Sequence, residues 1–197
     1  QFVAPGLIMM SVITNSYSNV VSSFFGSKFQ RNIEELLVSP VPSWIILLGY
    51  VAGGMSRGLG VGLIVTVLSL YFADFSIHSL PVTIAIVLMT SLMFSLAGLI
   101  NAVFANSFDD ISIIPTFVLT PLIYLGGVFY SIDLLGDFWG SVSLINPILY
   151  MVNAFRYGMV GITDINIAWS FAMVGMFSAL LFFVALNLLE KGSRLRS

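Results

Sequence analysis

Lys28-Phe29-Gln30-Arg31-Asn32-Ile33-Glu34-Glu35-Leu36-Leu37-Val38-Ser39-Pro40-Val41-Pro42 is a charged, amphipathic island between two long apolar segments. A chain that is otherwise lipid-soluble keeps such a patch to touch something in water. A short helix is expected to start at Asn32, whose side chain can cap the amide of Glu35 while Glu35 reaches back. Ile33, Leu36 and Leu37 then share one face, with Glu34 on the polar side. Pro40 and Pro42 stop that helix and turn the chain into the next apolar segment. The island reads as a docking site for a soluble partner or as a helix lying on anionic lipid. The acidic pair Glu34 and Glu35 stands against the second reading, because anionic headgroups would repel it.

Composition explains why the flanks must be membrane spans. Of the 197 residues, 58% are hydrophobic and 8% charged, with a mean hydropathy of +1.05. Soluble domains carry about 25% charged residues. A net charge of -2 without a basic cluster argues against nucleic acid, and the lack of Cys removes disulfides and thiolate metal sites. The chain is read as one membrane domain over residues 1–197, and no signal-peptide pattern opens it.

Crossing about 30 Å of hydrocarbon takes roughly 20 helical residues. Five segments qualify, approximately Val3 to Phe25, Trp44 to Phe72, Pro81 to Phe104, Ile111 to Tyr130 and Ile167 to Leu189. Residues 131–166 differ: they hold Asp133, Asp137 and Asp164, and the run from Ile148 to Gly161 has the length of a re-entrant or interfacial helix. Lys28 and Arg31 fall in the first loop and Lys191, Arg194 and Arg196 in the tail, two places that five alternating spans put on one side. The positive-inside rule makes that side cytoplasmic, with the His78 loop and the 131–166 segment outside. The expected fold is all-α and polytopic, with a cytoplasmic segment at 27–42 and an external re-entrant segment at 131–166.

Several residues inside the spans invite a role. Ser11, Asn15, Ser18 and Ser22, with Asn19 and Ser23 alongside, form a polar stripe on the first span. It reads equally as helix glue and as the lining of a path. Gly49, Gly53, Gly54, Gly58, Gly60 and Gly62 give the second span a small-residue surface for close packing. Pro121 removes an interior backbone bond from the fourth span and predicts a kink. Arg57 lies fifteen residues from Phe72, about 22 Å at helical rise, and reads as an anchor snorkelling to the cytoplasmic boundary more than as a substrate site. Arg156 is a candidate for a buried ion pair with Asp133, Asp137 or Asp164. Asn146-Pro147 has the form of a helix start, and Asp109 and Asp110 suit the start of the fourth span.

The island's Glu-x-Leu-Leu-Val-Ser-Pro-Val wording resembles the coupling segment of type-2 ABC-exporter permeases. Further landmarks run in order along the chain: Pro5-Gly6-Leu7, Phe117-Val118-Leu119-Thr120-Pro121-Leu122, Gly126-Gly127-Val128-Phe129-Tyr130 and Asn146-Pro147-Ile148. Many relatives carry Gly-Thr where this chain has Arg31-Asn32, so local docking contacts are expected to differ. The resemblance implies a homodimer of six-span subunits in a bacterial inner membrane, with one further span expected before Gln1 and the C-terminus in the cytoplasm. It also implies a separately encoded ATPase, which holds the ATP and magnesium, docked at Arg31, Asn32, Glu34, Glu35, Leu36 and Leu37. The first span and the kinked one would flank the export path, which nominates Ser11, Asn15, Ser18, Asn19 and Ser22 with Phe117, Thr120 and Tyr124.

Enzymatic readings have little support. There is no G-x-x-x-x-G-K-[ST], H-E-x-x-H or G-x-S-x-G, and the single histidine, His78, falls in a short external loop where it should be exposed. No cofactor or metal is expected in this chain. An uncoupled channel or secondary carrier is the alternative, although a carrier should show inverted repeats and intramembrane carboxylates. A membrane scaffold that recruits a cytoplasmic partner is the third class.

Overall fold

The computed structural model describes residues 3–72, 77–130 and 137–192. Asp133, Arg194, Arg196 and the first part of the 131–166 segment lie outside the described residues, as does the side chain of Asp137. Among the described residues every element is helical: α1 Val3–Phe29, α2 Asn32–Val38, α3 Ser43–Phe72, α4 Leu80–Phe104, α5 Asp110–Ile114, a π-helical turn Pro115–Leu119, α6 Thr120–Leu125, α7 Asp137–Ser143, α8 Pro147–Val160 and α9 Ile167–Lys191.

Helices α1, α3, α4 and α9 coincide with four of the five anticipated segments. Three of them, α3, α4 and α9, are long and apolar enough to cross a membrane. Helix α1 has the length, 27 residues, but its serines and asparagines dilute its apolar character. The fourth segment departs from expectation. Its helical run covers Asp110–Leu125 and stops five residues short of Tyr130, because Gly126 ends it and Gly127 takes φ +73°. That conformation costs a glycine nothing and any other residue strain.

Where Pro121 predicts a kink, the helix changes type. Pro121 has no N–H, and its ring would crowd the carbonyl four residues back. The turn before it widens to π, so that the Thr120 N–H bonds to Pro115 O, and the Thr120 hydroxyl donates to the same oxygen at 2.8 Å. Ser107 and Asp110 form a reciprocal cap before this helix. The Asp110 N–H donates to Ser107 Oγ at 3.2 Å, and the Asp110 carboxylate accepts from the Asn106 and Ser107 amides at 2.9 and 3.0 Å. These hydrogen bonds, from Asn106 first and then Ser107, hold the Asp110 carboxyl below its ordinary range.

Helix α1 is the centre of the bundle, packed on α3, α4 and α8, and its Ile8, Met9, Val12, Ile13, Val20 and Phe24 are buried. In lipid the hydrophobic effect does not drive helices together, so close packing of small residues must. Gly54, Gly58 and Gly62, spaced i, i+4, i+8, form the surface of α3 that meets α1, whereas Gly49 and Gly60 face open space. A Cβ at Gly58 would fall 1.8 Å from Ser16 Oγ. Ser16 in turn hydrogen-bonds Ser91 of α4 at 3.0 Å, fully buried, and ties the three helices together. The outer faces of α3 and α9 expose Leu63, Val67, Leu180 and Phe183, as a lipid-facing surface does.

Helix α8, at 14 residues, is about 21 Å long and too short to cross. It is buried from Ile148 to Phe155 and capped by Asn146, whose side-chain oxygen accepts from the Ile148 N–H at 3.0 Å. Its last turn accepts hydrogen bonds from the chain entering α4, with the Ser79 N–H on Gly158 O at 2.8 Å.

Candidate functional site

The island forms a helix, α2, but not by the expected cap. Arg31 occupies the cap position in the left-handed region, φ 62°, and no side chain caps α2. Asn32 is the first helical residue, one position too late to cap, and its amide donates to Gln30 Oε1 at 3.2 Å. A non-glycine residue with positive φ is strained.

Ile33 is fully buried, and Leu37 packs against the core. Leu36 does not share their face as expected; it is 38% exposed, since i and i+4 point inward on this short helix and i+3 does not. Arg31, Asn32 and Glu35 are exposed, and Glu34 is half-buried. Leu36 continues into an apolar groove of about 350 Å³ with Val41, Ile45, Ile46, Gly49 and Tyr50. Of the six residues nominated for docking, four face outward and Leu37 holds the island from within. Ser39 closes the helix, its hydroxyl on Leu36 O at 2.6 Å, before Pro40.

Lys28 has a structural role that its place in the sequence did not reveal. Its ammonium donates to Val103 O and Ala105 O at 2.8 and 2.7 Å, at the end of α4. There it meets the negative end of the helix dipole. Phe25 and Phe29 contact Phe108 with ring centroids 5.0 and 5.2 Å apart. The island's base is thereby joined to the start of the kinked helix.

Among the nominated path residues, Ser18 and Ser22 are exposed and Ser11, Asn15 and Asn19 half-buried. Ser11, Asn15 and Ser22 return their polar hydrogens to carbonyls of their own helix, at 3.0, 2.9 and 2.7 Å. Within this chain the glue is Ser16, which sequence reasoning passed over. Its signal was indirect: a glycine row at i, i+4, i+8 needs a small residue opposite. Phe117, Thr120 and Tyr124 are likewise exposed, with Phe117 at 74%. A cleft of about 410 Å³ joins the two surfaces at one end, lined by Ser18, Ser22, Arg57, Ser112, Pro115 and Thr116. Arg57 thus belongs to a cleft that the anchor reading did not foresee.

At the other end α8 clamps the kinked helix. The Asn146 amide donates to Leu122 O at 2.6 Å, and the buried Arg156 guanidinium donates to Gly127 O at 2.6 Å. Of the acids proposed to pair with Arg156, Asp164 contributes a favourable Coulomb interaction. His78 is exposed, its ring edge-on to Tyr157 at 5.1 Å. No group of His, Asp or Glu among the described residues is arranged to hold a metal.

Residues 1–160 match the ABC-2 type transporter membrane family. The chain is 56% identical over all 197 of its residues to the inner membrane transport permease YadH of Escherichia coli K12, covering 77% of that protein. It is 24% identical over 195 residues, 96% of its length, to nodulation protein J of Rhizobium leguminosarum bv. viciae, covering 74% of that protein.

Proposed function

The chain belongs to the ABC-2 type transporter family, and on that premise we propose that it is the permease subunit of an ATP-driven exporter, docked through α2 on a separate ATPase. The observation that carries the reading is α2 itself: it is anchored by Ile33, it carries no side-chain cap and no residue of a catalytic motif, and it presents Glu35, Leu36 and an apolar groove outward. A helix meant only to lie on lipid would turn its apolar residues toward the bilayer and basic ones toward headgroups. The partner ATPase supplies ATP and magnesium, and two copies of the permease enclose the path between the polar side of α1 and the kinked helix. Placement in an inner membrane follows the similarity to YadH. The test is co-expression with an ATP-binding-cassette ATPase, followed by purification through a tag on the permease. Stoichiometric recovery of an ATPase whose turnover changes in the complex is expected. A permease that purifies folded and alone, while still passing solute, is an uncoupled channel.

The side assignment places the island, residues 27–42, in the cytoplasm and α7 and α8 within an external, re-entrant segment. The chain lacks Cys, so single reporters can be introduced cleanly. Ile145, 77% exposed between α7 and α8, should react as Ile145→Cys with an impermeant thiol reagent added to intact cells. Gln30→Cys should react only after permeabilisation. The opposite pattern inverts the topology.

A further inference from the structure

We propose that the cleft around Arg57 receives the phosphate-bearing, anionic head of an amphiphile; this deepens the exporter reading and rests on it for where the amphiphile goes next. Arg57 is the fifteenth of 30 residues in α3, about 21 Å from one end of the helix and about 22 Å from the other. A guanidinium at that depth is costly unless water or an anion answers it. Among the described residues it has no hydrogen bond and no ion pair. Of the two acids at the start of α5, Asp109 and Asp110, the second has its carboxylate engaged by the Asn106 and Ser107 amides.

Arg57 shares its cleft with four hydroxyl residues, Ser18, Ser22, Ser112 and Thr116, and with Val21, Ile111 and Pro115. Ser22 donates to Ser18 O at 2.7 Å and Ser112 to Phe108 O at 3.4 Å, while the hydroxyls of Ser18 and Thr116 have no hydrogen-bond partner among the described residues. A forked guanidinium in one cleft with rotatable hydroxyls suits a phosphate, since it offers two parallel charge-assisted bonds with neutral donors nearby. The volume of about 410 Å³ suits a headgroup. Exposed Ile113, Ile114 and Phe117 continue from it along the kinked helix and offer an apolar track for the tail. The larger cavity of about 490 Å³ between α1, α3 and α4, lined by Leu59, Leu63, Val67, Ile84 and Leu88, offers no charge and so no grip on a head.

The test reads the cleft locally. The permease, a chain free of native Cys, is co-expressed with the ATPase, carries Thr116→Cys and is treated with a sulfonate-bearing or a trimethylammonium-bearing methanethiosulfonate. The sulfonate reagent should react faster, and Arg57→Gln should lower the ratio of the two rates about tenfold, while Arg57→Lys keeps most of it. Phosphatidylglycerol vesicles should protect the thiol and phosphatidylcholine vesicles should not. Protection by millimolar inorganic phosphate alone assigns the site to a free anion, and its absence beside phosphatidylglycerol protection assigns it to a lipid-borne phosphate. A rate ratio indifferent to Arg57, or no protection by either phosphate source, overturns the proposal. Intact protection in a permease that recovers no ATPase discards the exporter reading and leaves the site. Lost protection with the ATPase still bound discards the site alone.

Discussion

Glu35→Arg combined with Leu36→Asp is expected to strip the ATPase from the purified permease, with at least a tenfold loss of affinity, while insertion and melting stay as in the parent. Both side chains point away from the bundle: Glu35 is exposed and Leu36 is 38% exposed at the edge of the groove with Val41 and Ile45. Neither substitution therefore leaves a cavity or an unpaired charge in the fold. At an interface, an apolar anchor and an adjacent charge each carry about 2 kcal/mol or more when removed or reversed. The control is Ile33→Asp. That residue is fully buried, so its loss should free α2 from α1 and reduce stability and ATPase recovery together. An ATPase that remains bound to the double variant with unchanged turnover would make α2 a membrane-surface helix.

Gly58→Val should disrupt the bundle itself. An added Cβ would lie 1.8 Å from Ser16 Oγ and 3.2 Å from Val12 O, and the second is backbone that cannot rotate away. Relief requires α3 to withdraw from α1, which also breaks the Ser16–Ser91 hydrogen bond between α1 and α4. Overpacking of this kind costs about 1 to 3 kcal/mol, and the buried hydroxyl left behind adds about 1 to 3 kcal/mol. The expected readout is a melting temperature in detergent lowered by several degrees and increased proteolysis. Gly60→Val, in open space two residues on, should melt as the parent does. Equal melting of the two variants would mean that α1 and α3 are held by something other than this glycine row.

The long helices were legible because their composition leaves no other option: a run such as Pro81 to Phe104 can satisfy its backbone in lipid only as helix, and α4 occupies it. Caps written in contiguous residues were legible too, as Asn146-Pro147 shows. The failures share a cause. Asn32 was read as a cap from its residue type, but the turn at Arg31 shifts the helix start by one position. The fourth segment was extended to Tyr130 on apolarity, although Gly126-Gly127 stood within it as a stop. Leu36 was placed inside by a periodicity that seven residues are too few to define. Ser16 was passed over because its meaning lies on another helix, in the glycines of α3.

The base of α2 behaves as a rigid elbow. Ile33 is sunk in the core, Lys28 grips the end of α4 at Val103 and Ala105, and Phe25 and Phe29 press on Phe108. A push delivered to the island has little slack to dissipate into and must arrive as torque at the foot of the kinked helix, two turns below Pro115. The π turn there holds its carbonyl through a single threonine hydroxyl and one amide. In mechanical terms the well-packed elbow and the π turn are adjacent, so strain entering at α2 is expected to be released as bending at Pro115–Leu119, with the far end fastened by Asn146 and Arg156.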